Sequence, residues 1–271
     1  MNNSIYIHTE DVHNLNSPSR IVPVVCDFLN PSSVADLGCG IGTFLHCFKQ
    51  NGVKRVLGID GEWANKELIA KYLKKDEFFE ANIEEEIKID QRFDLAICLE
   101  VAEHIDSKFA DNLVTTLTNI SDVIIFAAAL PNQGGQNHIN EQYPHYWELK
   151  FKEQGYIFID CFRDVFWDNK EIFWWYKQNM FLVVKDGHKI DLSKLQNLSN
   201  GAKSRIHPEL FEAISQISDI TQDRLIKIEQ GELSVRKYLR LLSRALKRKF
   251  RFKNDFTETI IFDKNNPIQR I

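Results

Sequence analysis

The stretch VADLGCGIGTFLHCF, residues 34–48, constrains this chain more than any other. An apolar run ends in Asp36, alternate glycines follow at Gly38, Gly40 and Gly42, and an apolar-periodic segment begins directly after them. That order reads as strand, tight turn and helix. The chain has only 12 glycines in 271 residues, yet three of them fall within five positions. Glycine admits left-handed backbone and close approach of another group, so the turn is expected to offer bare N–H groups to a ligand. The dinucleotide fingerprint G-x-G-x-x-G is not met, because position 43 is Thr. A carboxylate at Asp36 would repel a pyrophosphate but could hold an ammonium. The turn therefore favours a cationic or zwitterionic ligand over a dinucleotide.

Around this turn, β-rich runs alternate with helical stretches as far as residue 153. Strands are predicted at 33–37, 55–60, 77–82, 93–99 and 122–129, with helical segments near 42–51, 64–75 and 106–119. Such alternation indicates βαβ units and a parallel sheet. Ahead of the first strand, residues 17–29 read as a lid helix, with Ser17 as N-cap and Pro18 at its first position. After residue 144 the pattern becomes a helix near 145–154, a strand at 156–162, an aromatic-rich stretch at 165–179 and a strand at 180–186. The two late strands are expected to form an antiparallel hairpin at the sheet edge. From 187 onward strand character fades into a linker and then helical material to about 251. The expected division is a domain over 1–186 and a helical extension over 187–271.

On these residues the chain resembles the class I S-adenosylmethionine (SAM) dependent methyltransferases, whose first motif looks like D/E-x-G-x-G-x-G. VLGIDGE places Asp60 at the end of the second strand, EANIEEEI places Asn82 and Ile83 after the third, and FDLAICLEVAEHID is similar to the family's fourth strand and following loop. The resemblance covers roughly residues 15–185. It implies a doubly wound, mostly parallel seven-stranded α/β sheet of Rossmann-like type, with a helical C-terminal extension. It also implies SAM as cofactor, bound by Asp36, Gly38, Gly40, Gly42, Asp60, Asn82, Ile83 and Leu99. In that family an acid at position 60 would accept the ribose hydroxyls, and residues 82 and 83 would hold adenine. Taken singly, Asp60 could cap a helix and Asn82 could be a turn residue. Their order and joint occurrence carry the resemblance.

The acceptor is sought beyond the fourth and fifth strands. PNQGGQNHINEQYPHYW, residues 131–147, resembles the GG-x-x-H-x-N-E-Q segment of bacterial methyltransferases that act on sugars in glycan and natural-product pathways. Oxygen methylation needs the hydroxyl proton to leave as the bond forms. His138 is the expected general base, oriented by Glu141, with His104 and then His145 in reserve. Trp147, Trp167, Trp174 and Trp175 could stack on a sugar ring, although core packing suits them better. Glu100, Glu103 and His104 form E-x-x-E-H, which is similar to the metal-binding segment of small-RNA 2′-O-methyltransferases. With His138 as a fourth ligand they could hold Mg²⁺ or a similar ion, but related metal-free enzymes carry the same segment. A divalent metal is not the expectation. The functional reading is O-methylation of a nucleotide-linked or glycan-bound sugar in surface-polysaccharide synthesis. The alternatives are metal-dependent methylation of RNA ribose and transfer to another small acceptor through nitrogen or phosphorus.

Residues 236–253 contain nine of the 34 Lys and Arg and none of the 38 acids, which leaves the rest of the chain at −13 within a net charge of −4. Val235, Leu239, Leu242, Leu246 and Phe250 recur at steps of three and four, so this is a basic amphipathic helix. It could pack on the acidic body or a sister subunit, lie on an anionic membrane surface, or contact nucleic acid; no RNA-binding module accompanies it, so nucleic acid is the least favoured. The five scattered cysteines lack any C-x-x-C and suggest free thiols in a reducing compartment. The N-terminal segment lacks the pattern of a signal peptide. The expected location is cytoplasmic, with the inner membrane face as a peripheral site through the basic helix.

Overall fold

The strands of the central sheet are apolar on both faces, and that dictates helices on both sides. The structure, a computed structural model, describes residues 9, 12–191, 199–200, 204–250, 260–261 and 269–270. In chain order it forms α1 (Asn16–Leu29), β1 (Ser33–Leu37), α2 (Thr43–Gln50), β2 (Arg55–Asp60), α3 (Lys66–Tyr72), β3 (Phe78–Glu80) and β4 (Leu95–Leu99). Then follow α4 (Ala110–Ile120), β5 (Val123–Ala127), α5 (Pro144–Glu153), β6 (Tyr156–Asp160), α6 (Arg163–Phe166), α7 (Trp174–Asn179) and β7 (Phe181–Lys185). The remaining elements are β8 (Ser199–Asn200), α8 (Pro208–Glu229), α9 (Val235–Phe250), β9 (Ile260–Ile261) and β10 (Gln269–Arg270). The chain divides into one unit through His207 and a second from Pro208.

In the first unit the strand order is β3-β2-β1-β4-β5-β7-β6-β8. The first five strands are mutually parallel. Strand β7 runs antiparallel between β5 and β6, so the expected late hairpin is present. β8 adds a two-residue antiparallel edge to β6, inside the stretch read from sequence as a linker. A strand of two residues leaves no periodicity to read.

Successive strand residues supply opposite cores. Val34, Leu95, Ile97, Ile125 and Leu182 join one cluster with Val22 and Val25 of α1 and Leu45 and Phe48 of α2. Ala35, Leu37, Ala96, Cys98, Ile124 and Phe126 join the other with Leu113 and Leu117 of α4 and Trp147 and Phe151 of α5. The expected lid helix, α1, is thus a packed layer of the fold. Ser17 is not its N-cap. It lies within the helix, fully buried, and its hydroxyl accepts the Phe173 N–H at 2.9 Å, whereas Asn14 accepts the first helical N–H, that of Asn16, at 2.9 Å. Tertiary demand for a partner to Phe173 has overridden the local capping preference. Four of the five cysteines are buried and all are free.

Candidate active site

The sheet ends its parallel half with β1, β2, β4 and β5 side by side, and the site forms beyond their carboxyl ends. In the first turn Gly38, Gly40 and Gly42 take φ of 79°, 55° and 86°, in the left-handed region that side chains resist. A side chain at Gly38 would also strike Val101, and one at Gly42 would come within 2.7 Å of Leu73. The protein's own packing therefore demands these two glycines. The donors expected to face a ligand are engaged internally: Gly38 and Cys39 donate to Ile59 O at 2.8 and 3.1 Å, Gly42 donates to Cys39 O at 2.9 Å, and Gly40 donates to Oδ2 of Asp60 at 2.8 Å. What this turn offers a ligand is close backbone and negative charge.

That charge is concentrated. Asp36 and Asp60 are 4% and 3% exposed, and Glu103 is completely buried. Burial, then the Asp60 charge, lifts Asp36 well above the usual carboxylate range. Burial raises Asp60 to about 6, against hydrogen bonds from the N–H groups of Gly40 and Gly61 and from the Trp63 side chain. Burial and then the charges of Asp36, Glu103, Glu100 and Asp60 push up the Cys98 thiol, so one thiol feels all four acids. A cluster of desolvated carboxylates is costly, and a bound cation offsets that cost. SAM carries a sulfonium and an ammonium, and the donor set fits it.

The other expected cofactor residues occupy the same rim. Ile83 is buried, and Leu99 at the end of β4 is half-buried. Asn82 closes its own turn: its Oδ1 accepts the Glu84 N–H at 3.1 Å and its Nδ2 donates to Glu85 at 2.9 Å.

The loop expected to face the acceptor lies between β5 and α5. Backbone N–H groups of Ile139 and Asn140 donate to Glu103 O at 2.9 and 3.0 Å, fastening the loop onto the turn after β4. Nδ1 of His138 lies 2.9 Å from Oε1 of Glu141, whose two oxygens also accept the N–H groups of Gly134 and Asn132 at 2.7 Å each. Partial burial works to raise Glu141, but His138 and these N–H groups outweigh it and hold the carboxyl below its usual value. Nε2 of His138 is then directed to the other side, 4.0 Å from Oε1 of Glu103. Gly135 allows this placement, since a side chain there would overlap the imidazole. The His104 ring packs edge-on against His138, with centroids 4.8 Å apart, and faces the backbone of Gln136 and Asn137. Burial, then the His138 charge, pushes His104 down to about 3, so its imidazole is neutral.

Glu100 and Glu103 play different parts. Glu100 holds φ 57°, a left-handed conformation rarely taken by a side-chain-bearing residue. Both of its carboxylate oxygens are bonded, one to Asn179 Nδ2 at 2.9 Å and the other to Gln133 Nε2 at 2.7 Å. Asn179 and Gln178 also bond Gln133 Oε1, at 2.8 and 3.4 Å, so a buried amide cluster fixes Glu100. Neither oxygen of Glu103 meets a donor at hydrogen-bond geometry among the described residues. Burial, then the Glu100 charge, raises Glu103 well above its usual value. Glu103, His104 and His138 offer ligand atoms that all lie within 4.8 Å of one another. These three fit a divalent ion. Two imidazoles and one carboxylate suit a transition ion better than Mg²⁺, and Glu100 stands outside the set.

His145 pairs with Glu148 at 3.0 Å on the exposed face of α5, away from this cluster of ligand atoms. Trp147 and Trp174 are core residues, Trp175 stacks on Phe173 at 4.3 Å, and Trp167 packs on His207. Sequence reasoning does not single out Gln133, Gln178, Asn179 or Trp63. Only the placement of β7 beside β5 brings the end of α7 to Glu100. The sole sequence hint for Trp63 is its position three residues after Asp60.

A doubly wound sheet with this acidic glycine turn after its first strand is that of a Rossmann-like, SAM-dependent methyltransferase. A family model described as a methyltransferase domain matches residues 19–188, and the chain belongs to that family. No curated protein matches the chain significantly. Among solved structures, the methyltransferase domain of a bacterial Hen1 (CtHen1-C) is 20% identical over 64% of this chain and 99% of that one, with a TM-score of 0.47. PKMT2 from Rickettsia typhi, solved with AdoHcy, is 14% identical over 65% of this chain and 55% of its own, with a TM-score of 0.48. An O-methyltransferase family protein from Burkholderia thailandensis is 14% identical over 62% of this chain and 56% of its own, with a TM-score of 0.46.

Proposed function

We propose that this methyltransferase acts on oxygen, and that its acceptor is a sugar hydroxyl, nucleotide-linked or glycan-bound. The observation that carries the reading is the His138–Glu141 pair. An imidazole whose Nδ1 is bonded to a carboxylate held by two backbone N–H groups keeps a lone pair on Nε2. That nitrogen is the atom to take the acceptor proton. SAM supplies an electrophilic methyl on a sulfonium when bound. Asp36 and Asp60 retain the cationic cofactor, the glycine turn admits it, and Glu141 stabilises the imidazolium that forms on His138. The sugar class rests on the 131–147 loop, whose sequence resembles that of sugar-modifying enzymes and which carries both His138 and Glu141.

One observation favours a second reading, metal-assisted methylation of an RNA ribose hydroxyl. Glu103 is a buried carboxylate whose oxygens meet no donor at hydrogen-bond geometry among the described residues, beside two imidazoles. Glu103, His104 and His138 would hold the ion, and an ion there would lower the acceptor hydroxyl's pKa. A bacterial Hen1 methyltransferase domain and a small RNA methyltransferase HEN1 are among the fold relatives.

The test is methyl transfer from labelled SAM to a panel of nucleotide sugars and to short RNAs, each with and without EDTA. Chelator-insensitive transfer to a sugar is the expected result. Chelator-sensitive transfer to RNA would replace the first reading with the second, and SAM binding without transfer to any hydroxyl would end both.

A further inference from the structure

We propose that α9 docks this enzyme on an anionic lipid bilayer, lying in the plane of the headgroups. The proposal is independent of which acceptor the site methylates. Val235, Leu239, Leu242 and Leu246 are 74%, 60%, 56% and 47% exposed. At about 100° per residue they fall within an arc of about 60°, a narrow continuous apolar stripe. Arg236, Lys237, Arg240, Arg244, Lys247 and Arg248, all exposed, occupy the opposite face, so the helix has one apolar and one cationic side. No acid interrupts the helix.

The second unit keeps this stripe uncovered by its own geometry. The Tyr238 hydroxyl reaches back to the last turn of α8, 2.8 Å from Ile228 O and 3.1 Å from Lys227 O. The half-buried Tyr238 is thereby used to fix the turn between the helices, while the leucines stay outside. An isolated exposed leucine means little, but four in register on a helix of 16 residues require an apolar partner.

The charge selects that partner. An apolar stripe opposite a face of cations, with no acid on the helix, matches a surface that is apolar within and anionic at its headgroups, which is a bilayer containing acidic phospholipid. A second copy of the same helix would cover the leucines and leave the cationic face without counter-charge. A nucleic acid would satisfy the cations and leave the leucines in water. Among the described residues no helix is long and apolar enough to cross a membrane, so the association would be peripheral.

The full chain should be sedimented with vesicles of phosphatidylcholine alone and of phosphatidylcholine with 30% phosphatidylglycerol, as roughly physiological acidic content. Binding is expected only to the anionic vesicles and should weaken as salt rises. Leu239→Asp with Leu242→Asp should reduce partitioning at least about tenfold, and Arg240→Glu, Arg244→Glu and Lys247→Glu together about 100-fold, at about 1 kcal/mol per surface charge. SAM affinity should not change in either variant, which verifies that the first unit remains folded. Three results would overturn the proposal: no partitioning of wild type at low salt, equal partitioning of the leucine variant, or a wild-type dimer in solution that the leucine variant converts to monomer. Salt-sensitive binding to short RNA that ignores the leucine changes, with no vesicle binding, would assign the helix to nucleic acid instead.

Discussion

Oδ2 of Asp60 accepts the N–H of Gly40 at 2.8 Å, so the acid ending β2 and the glycine turn after β1 form one unit. This unit titrates near physiological pH, because burial raises the Asp60 carboxyl to about 6. Between 3.8 and about 6 the folded chain retains a proton that the unfolded chain has released. Folding stability without SAM therefore falls as pH rises through that window. SAM affinity should move the other way, since the ribose hydroxyls and the cationic cofactor require the carboxylate. The Kd for SAM is expected to rise about tenfold per pH unit below 6 and to level off above 7. Asp60→Ala should weaken binding by about 1–3 kcal/mol and flatten this dependence. Calorimetric titration between pH 5 and 8 decides, and a flat wild-type profile would remove Asp60 from the cofactor site.

The His138–Glu141 pair predicts a separation of binding from chemistry. His138→Ala should leave SAM affinity nearly unchanged and slow transfer at least about 100-fold, the low end for loss of a general base. Glu141→Gln should cost less, about tenfold, because it removes orientation and imidazolium stabilisation while leaving the base in place. Glu141 sits below its usual value, so its contribution to stability is full above pH 4.5 and is lost as pH falls below that. Wild-type turnover in the His138 variant would end its candidacy.

Gly135→Ala tests placement without touching a titratable group. The added methyl would overlap the His138 ring, so the imidazole must leave its position opposite Glu103. Transfer should fall toward the level of His138→Ala while SAM affinity holds, with a modest fall in melting temperature because the backbone at Gly135 resists a side chain. If Gly135→Ala transferred at the wild-type rate, the observed imidazole position would not be the working one.

The elements most legible in the sequence were those with two-sided burial. Strands β1, β4 and β5 are near-continuous apolar runs because helices cover both faces, and the glycine turn is legible because left-handed backbone and the close approach of Val101 exclude side chains. The pairing of His138 with Glu141 was legible, since the two are only three residues apart. The division of labour between Glu100 and Glu103 was not. Both stood as candidate ligands for an ion that was not the expectation, and which carboxylate is bonded depends on Gln133 and Asn179, 33 and 79 residues from Glu100. Asn179 ends a short helix that carries no periodic signal, and only β7 inserting between β5 and β6 brings it to the site.

Glu103 separates the two routes to hydroxyl activation. Burial and the Glu100 charge raise its carboxyl well above the usual range, and in the base-catalysed route it has no ion to hold. Glu103→Gln preserves the shape of the side chain, and transfer is expected to stay within about threefold of wild type. EDTA treatment should have no effect. A large loss in both experiments would transfer Glu103, His104 and His138 to the role of ligands.

Asn179 offers a stability test of the amide cluster that holds Glu100 in its left-handed conformation. It is 2% exposed and bonds both the Glu100 carboxylate and Gln133 Oε1. Asn179→Leu removes the donor and leaves a buried carboxylate oxygen unpaired, at a cost of about 1–3 kcal/mol. Asn179→Asp adds a second carboxylate against Glu100, and two such groups at contact cannot both ionise in a desolvated site. The pair keeps a proton in the folded state that the unfolded chain releases above the usual carboxylate range, so the variant's stability must fall as pH rises. Thermal unfolding should show a small deficit for Asn179→Asp at pH 5 that widens toward pH 8, while the deficit for Asn179→Leu changes less. Parallel curves for the two variants would mean that the Glu100 carboxylate is not confronted by residue 179 in the folded enzyme.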